Sequence, residues 1–366
     1  MPIKIINVVG ARPNFMKIAP IMAAYKRHSA FAPLLVHTGQ HYDEKMSDLF
    51  FRQLGIPRPD VNLGITSSGH AQQTADIMKA FEPVVLAEKP QAVLVVGDVT
   101  STIACGLVAV KLGIKLIHVE AGLRSGDRSM PEEINRILTD SISDILFCTE
   151  QSGVDNLHRE GRDNGQVFLV GNVMIDTLLA NKAKAEQSPI LEDLKLSRGQ
   201  YAVLTLHRPS NVDDPAVLGR LLEALEIIQQ DMPVIFPIHP RTRKNLENSE
   251  LGQTYRRLSN IRGIDPVGYL DFLKLMANAR IVLTDSGGIQ EETTILKVPC
   301  LTLRENTERP ITAEVGSNRI VGTKADNIIA AYQDVLAARG RVPQTPPLWD
   351  GQAAQRIVKI LTEKLA

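Results

Sequence analysis

Carboxylates, cations and glycines recur at one kind of place in this sequence, where a short apolar run stops and a helical pattern begins. The run Ala92–Val96 stops at Gly97-Asp98-Val99-Thr100-Ser101, and Leu116–Val119 stops at Glu120-Ala121-Gly122-Leu123-Arg124-Ser125. An aspartate at such a junction is as often only a helix N-cap. A glutamate that closes an apolar strand is harder to explain structurally. Met130-Pro131-Glu132-Glu133-Ile134-Asn135-Arg136 opens a helix with proline near its first position and acids in its first turn, a pattern that capping alone would explain. The three together mean more than each alone: Asp98, Glu120 and Glu132 can point at one site from one sheet edge. Like charges crowded there would raise carboxyl pKa values and supply proton-transfer groups.

The same junctions carry cations. The first apolar run leads into Gly10-Ala11-Arg12-Pro13-Asn14-Phe15-Met16-Lys17, where glycine permits a tight turn, proline starts the helix, and Arg12 and Lys17 lie near its N-terminus. That suits an anion, although solvated helix charges are the plainer alternative. The segment is neither a GxGxxG fingerprint nor a P-loop, which removes support from the usual dinucleotide and ATP readings. In the second half, one run ends in Leu206-His207-Arg208-Pro209 and another in Thr284-Asp285-Ser286-Gly287-Gly288-Ile289-Gln290-Glu291-Glu292. Backbone N–H groups of Ser286, Gly287 and Gly288 can approach a diphosphate at a helix start because glycine has no side chain to interfere. Glu292 lies one and a half turns on, within reach of ribose hydroxyls, and Arg309 in Arg304-Glu305-Asn306-Thr307-Glu308-Arg309-Pro310 is a further cation for the ligand.

Positioning these residues requires a regular frame. Short β-branched runs recur with helical periodicity between them, the mark of parallel strands joined by crossover helices. The fold class is therefore α/β, with two doubly wound, Rossmann-like domains facing a cleft. Strands are expected at Ile3–Val9, Pro33–His37, Ala92–Val96, Leu116–Glu120, Asp144–Cys148 and Val167–Val170, then at Tyr201–Leu206, Pro233–Ile238, Ile261–Asp265, Arg280–Thr284, Pro299–Leu303 and Arg319–Val321. A charged stretch with Pro189 places a hinge between Gly171 and Gln200. The domains read as 1–172, 173–345, and a C-terminal segment 346–366. The last segment holds an amphipathic helix over Gln352–Leu365, and its apolar positions Ile357, Ile360, Leu361 and Leu365 need a surface, for which the first domain is the candidate. Open parallel sheets bind ligands at the carboxyl ends of their strands, which puts the site in the cleft.

Composition narrows the partners. Forty-one basic residues balance forty-one acidic ones, so no global field draws in nucleic acid or an anionic membrane. One Trp and nine Phe are too few for a stacking platform for single-stranded nucleic acid. No apolar run approaches the roughly 18 residues that span a bilayer, and no signal-peptide layout precedes the first strand, so a cytoplasmic protein is expected. Cys105, Cys148 and Cys300 lie in apolar runs without metal-ligand spacing and read as buried packing residues.

In these residues the chain resembles the non-hydrolysing UDP-N-acetylglucosamine 2-epimerases, through GARPNFMK, TGQH, GDVTST, HVEAGLR, MPEEINR, GNVMIDTL, LHRP, TDSGGIQEE and TERP in the family's order and spacing. The resemblance covers nearly the whole chain. It implies a glycosyltransferase-B-type architecture, a homodimer, and inversion at C2 of a UDP-linked N-acetylamino sugar with no added redox cofactor and no metal. It implies that Asp98, Glu120 and Glu132 form the acid/base group with Lys17 and His207 beside them, and that Arg12 and Lys17 contact the diphosphate and sugar. Arg136 and His207 would line the site, Ser286, Gly287, Gly288 and Arg309 would grip the diphosphate, Glu292 would hold ribose, and Phe272 would lie beside uracil. The chemistry implied is elimination of UDP to a 2-acetamidoglucal and its re-addition. Pro209, Ser210 and Asn211 depart from many members and resemble a sister branch that includes epimerases for diacetamido-uronic acid sugars. Several bacterial members also bind a second substrate molecule through a Gln-His pair and a downstream arginine; Gln40 and His41 are present here, but Ser68-Gly69-His70-Ala71-Gln72 has no arginine.

Overall fold

The runs expected as strands form parallel strands, buried most completely towards the middle of each sheet. The computed structural model describes residues 2–39, 55, 58–67, 69–247, 249–339 and 342–366, with the side chain of each except Arg12; Gln40, His41 and Ser68 lie outside them. The chain divides into two compact units, Met1–Ala180 with Pro347–Ala366, and Asn181–Pro346.

Unit 1 holds β1 (Ile3–Val9), β2 (Phe31–His37), β3 (Val61–Asn62), β4 (Ala92–Val96), β5 (Lys115–Val119), β6 (Ile145–Cys148) and β7 (Val167–Leu169). They form one parallel sheet in the order β3-β2-β1-β4-β5-β6-β7. All five residues of β4 are buried, as expected where helices cover both faces of a parallel sheet. Six strands are expected from sequence, and the structure adds β3. Its two residues pair with Val36 and His37, too short a run to register as a β pattern. Ile6, Val8, Val93, Val95, Ala104, Cys105 and Leu116 meet in the core beside Ile77, Phe81 and Val85 of the helix His70–Glu88.

Unit 2 holds β8 (Ala202–Thr205), β9 (Val234–Pro237), β10 (Ile261–Ile264), β11 (Ile281–Thr284), β12 (Cys300–Thr302) and β13 (Asn318–Ile320). Their order is β10-β9-β8-β11-β12-β13, again parallel throughout. The helix Pro215–Asp231 presents Leu218, Leu221, Leu222, Leu225 and Ile228 to this core, the i, i+3, i+4, i+7 spacing of a single buried stripe.

In each sheet the strand order reverses once, between β1 and β4 and between β8 and β11. Adjacent crossovers leave in opposite directions there, opening a crevice at the carboxyl ends of those strands. Gly10–Lys17 and Asp98 follow β1 and β4, and His207 and Asp285 follow β8 and β11.

The final helix, Ala353–Leu365, belongs to unit 1 and packs on the helix Arg12–Tyr25. Both oxygens of the Asp176 carboxylate cap it, accepting from the N–H groups of Ala353 (3.1 Å) and Ala354 (2.8 Å). Ile357 and Leu361 are buried, whereas Ile360 and Leu365 are half-buried. Just before the helix, the Trp349 indole N–H donates to the Thr149 carbonyl (2.9 Å) from a fully buried position. Gly171, at φ +87°, passes so near Leu348 that a Cβ would lie 2.1 Å from its carbonyl oxygen. The three cysteines are buried and free. Among the described residues no helix is long and apolar enough to cross a membrane. Trp349→Ala should lower the stability of unit 1 by about 3–5 kcal/mol, through lost burial and a cavity; thermal unfolding with an unchanged midpoint would contradict this anchoring.

Candidate active site

Unit 1 gathers its polar residues at the exits of β1, β4 and β5. The Asn14 carboxamide accepts from the N–H groups of Gly10 (3.2 Å) and Ala11 (2.9 Å) and donates to the Val96 carbonyl (3.0 Å), tying the start of the helix Arg12–Tyr25 to the end of β4. One turn on, Lys17 is buried and its ammonium pairs with the Glu120 carboxylate. Gly97, at φ +68°, leaves room for that pair: a Cβ would lie 2.9 Å from Lys17 Nζ and 3.7 Å from Glu120 Oε2. Asp98 follows immediately and pairs with Arg136 Nη1 at 2.8 Å.

Glu120 adopts φ +75°, a conformation that costs a residue with a side chain on the order of 1–3 kcal/mol. Its N–H and that of Ala121 both donate to the Phe147 carbonyl on β6 (3.0 Å each). The neighbouring sheet strand thereby holds the turn.

The helix Pro131–Ile142 separates its two adjacent acids by function. Glu133 is buried and bonded to the N–H groups of Ser125 (3.0 Å) and Gly126 (2.9 Å), the Ser125 hydroxyl (3.0 Å) and Arg136 Nη2 (2.9 Å). Burial pushes its carboxyl up, but these donors and the guanidinium outweigh it and hold the group below its usual range. Glu132 is half-buried and has no hydrogen bond or ion pair among the described residues. It is the acid of the two left for a ligand. The structure corrects the expectation of crowded like charges: Asp98 and Glu120 are each matched by a cation, Arg136 and Lys17. Arg12 opens its helix, but its side chain lies outside the described residues.

Unit 2 is organised around an acid that sequence reading passed over. Asp285, at the end of β11, accepts from the N–H groups of His207 (2.9 Å) and Arg208 (2.9 Å) and pairs with His207 Nδ1 (2.8 Å). It locks the exits of β8 and β11 together. Burial raises its pKa, but the bonds and charge of His207 and the backbone N–H groups reverse the shift, leaving it below the usual aspartate value. Ser286 is the N-cap residue of the helix Gly287–Leu296, and its side chain makes no capping bond. Gly287 is packed against Arg309: a Cβ would meet Nη1 at 2.4 Å. Arg309 is held by Glu291 (2.6 Å) and Glu308 (2.8 Å), and Glu308 also pairs with Arg304 (2.9 Å) and Arg208 (3.3 Å). Gly288 is half-buried at the same helix start.

Glu292, one and a half turns on, accepts from the Tyr269 hydroxyl at 2.9 Å. Burial raises its pKa to about 7. Phe272 lies half-buried on the helix Tyr269–Ala277, one turn from Tyr269. The sequence signal for Asp285 was available, since it stands at a strand end inside the quoted Ser-Gly-Gly turn. No local pattern pairs Tyr269 with Glu292 or joins Glu308 to three arginines.

Two doubly wound parallel sheets on one chain, each with polar residues at its switch point, define a two-domain α/β enzyme of the glycosyltransferase-B type. The UDP-N-acetylglucosamine 2-epimerase family model matches residues 23–362, and the chain belongs to that family. A UDP-N-acetylglucosamine 2-epimerase of Methanocaldococcus jannaschii is 44% identical, covering 98% of this chain and 99% of the relative. The UDP-2,3-diacetamido-2,3-dideoxy-D-glucuronate 2-epimerase of Pseudomonas aeruginosa is 42% identical, over 98% and 99%. The crystal structure of the M. jannaschii UDP-GlcNAc 2-epimerase in complex with UDP-GlcNAc and UDP superposes with a TM-score of 0.92 at 43% identity, covering 99% of this chain and all of that one.

The depressed Asp285 pKa carries a sign. Its contribution to stability is complete above the unfolded value near 3.8 and is lost as pH falls through the lower folded value. Between about pH 5 and about pH 2, wild-type protein should therefore lose more stability than Asp285→Asn; parallel acid-unfolding curves would refute the pairing.

Proposed function

We propose that this enzyme interconverts UDP-N-acetylglucosamine and UDP-N-acetylmannosamine by inverting C2, through elimination and re-addition of UDP. The observation that carries the reading is the strand-end set of Lys17–Glu120 and Asp98–Arg136 in unit 1, in a chain of this family. C2 of a 2-acetamido sugar is not adjacent to a ring carbonyl, so simple enolisation cannot invert it. Elimination can. A carboxylate takes H2, the C2–H electron pair becomes the C1=C2 double bond, and the C1–O pair leaves with UDP. In the return step the proton is delivered to the opposite face of C2 and the UDP oxygen bonds to C1.

Asp98, Glu120 and Glu132 supply the proton-transfer groups. Lys17, poised against Glu120, and Arg12 stabilise the developing diphosphate charge. In unit 2, the N–H groups of Ser286, Gly287 and Gly288 with Arg309 grip the diphosphate, Glu292 holds ribose, and Phe272 packs beside uracil. Arg136 and His207 are placed by their acids, Asp98 with Glu133 and Asp285. A second reading, inversion of a UDP-diacetamido-uronic acid sugar, is favoured by the P. aeruginosa relative at 42% identity. We also read the protein as a cytoplasmic homodimer. Exposed Leu86, Val110 and Leu138, on three helices of unit 1 packed side by side, support self-association. Sedimentation should give twice the monomer mass, and a monomer at micromolar concentration would exclude it.

NMR of the protein with a panel of UDP-amino sugars in D2O tests substrate and mechanism together. UDP-N-acetylglucosamine should gain deuterium at C2 in both epimers, without stoichiometric release of UDP, and Glu120→Gln should slow this by roughly 10²–10⁴-fold while still binding UDP. Interconversion without exchange would sink the elimination, exclusive turnover of a uronic acid sugar would select the second reading, and accumulating UDP would show hydrolysis. The role of Glu292 has its own signature. If the ligand prefers the ionised carboxylate, UDP affinity rises as pH passes upward through about 7, and Glu292→Gln removes that part of the dependence. Identical pH profiles in calorimetry would remove Glu292 from the ribose site.

A further inference from the structure

His118 lies on β5 two residues before Glu120, is fully buried, and takes no part in the chemistry above. Each of its ring nitrogens has one partner. Nε2 stands 2.8 Å from the Gly97 carbonyl oxygen, and Nδ1 stands 2.6 Å from Oδ1 of Asp140. A carbonyl oxygen can only accept, so Nε2 carries a proton. The other Asp140 oxygen accepts from the Gly122 N–H (3.0 Å) and from Arg124 Nη1 (2.7 Å). Burial pushes the Asp140 carboxyl up, but the charges and hydrogen bonds of His118 and Arg124 outweigh it, so the group is ionised.

We propose that His118 acts as the positioning residue for Asp98, Glu120 and Glu132. Its bonds reach every element that delivers those acids. Gly97, held through its carbonyl, immediately precedes Asp98, and the Gly97 N–H donates back to the Val119 carbonyl (3.0 Å) beside Glu120. His118 itself sits on the strand that delivers Glu120. Asp140 is on the helix Pro131–Ile142, two turns beyond Glu132, and through Gly122 it also fixes the left-handed turn after Glu120. The charged groups around the ring are Asp140, Arg124 behind it, which is also paired with Glu160 (2.6 Å), and the Lys17–Glu120 pair across Gly97. The Cys148 thiol on β6 stays neutral, because burial first and the charge of Asp140 next raise its pKa.

The positioning role rests on the proton-transfer reading above, while the hydrogen bonds of the ring do not. Nitrogen-15 NMR of the imidazoles in the ligand-free protein reads those bonds directly: His118 should carry a proton on Nε2 that exchanges slowly with solvent, held by the Gly97 carbonyl. A His118 ring without a proton on Nε2 overturns the proposal. Kinetics read the positioning. His118→Gln keeps a single donor, and Asp140→Asn replaces the carboxylate that His118, Gly122 and Arg124 share. Each should lower kcat on the order of 10²-fold, as a displaced catalytic group does, with KM within about twofold. A kcat near wild type in a folded variant, or equal losses in kcat and UDP affinity, would overturn it. Should both variants fail to fold, the wild-type spectrum still decides. Wild-type protein that shows the Nε2 proton but no C2 exchange would instead count against the proposed reaction.

Discussion

A carboxylate removed from water must be met by a cation or by N–H groups, and both sheets of this protein are arranged around that requirement. In unit 1 the acid is Glu120, met by Lys17. In unit 2 it is Asp285, met by His207 and by two backbone N–H groups. Each acid closes a strand beside a switch point, and its partner comes from the segment after the neighbouring strand or the one beyond it. The pairings therefore fix how the strand exits stand to one another, and the loops between them inherit their shape. Gly97 has no side chain because an ammonium occupies the space, and Gly287 has none because a guanidinium does.

The two units solve the problem with different reserves of charge. Unit 1 sets Lys17 against Glu120 and Arg136 against Asp98 and Glu133, so that these acids are compensated and Glu132 stands apart. Unit 2 surrounds one acid, Glu308, with Arg208, Arg304 and Arg309. Glu291 takes a second bond from Arg309. Three guanidiniums against two carboxylates leave a positive balance beside a helix N-terminus, a setting for an anion. The chain as a whole has no net charge, so this positive balance is local.

Much of this was legible in the sequence because strand ends in parallel α/β folds are marked twice, by the end of an apolar run and by the start of a helical one. Lys17, Asp98, Glu120 and Glu292 were found at such marks. What escaped was of two kinds. The strand Val61–Asn62 is too short to show a period, and it forms only because β2 presents an open edge. Asp140, Glu308 and Tyr269 sit inside helices or loops, and His118, Arg208 and Glu292, with which they respectively pair, are 22, 100 and 23 residues away. No window of local pattern contains both members of such a pair. The adjacent acids Glu132 and Glu133 show the same limit at shorter range, since only the fold reveals that Ser125 and Gly126 claim the second.

The return of residues 347–366 to unit 1 has a consequence for synthesis. Trp349, the Asp176 cap and the helix Ala353–Leu365 complete a body whose first 180 residues leave the ribosome long before them. Unit 2 is encoded as one uninterrupted stretch and can finish folding while unit 1 still lacks its last helix. Until residues 353–365 have been made, the helix Arg12–Tyr25 lacks the partner that packs on it, and the nascent chain at that stage carries an apolar face that is covered in the folded unit.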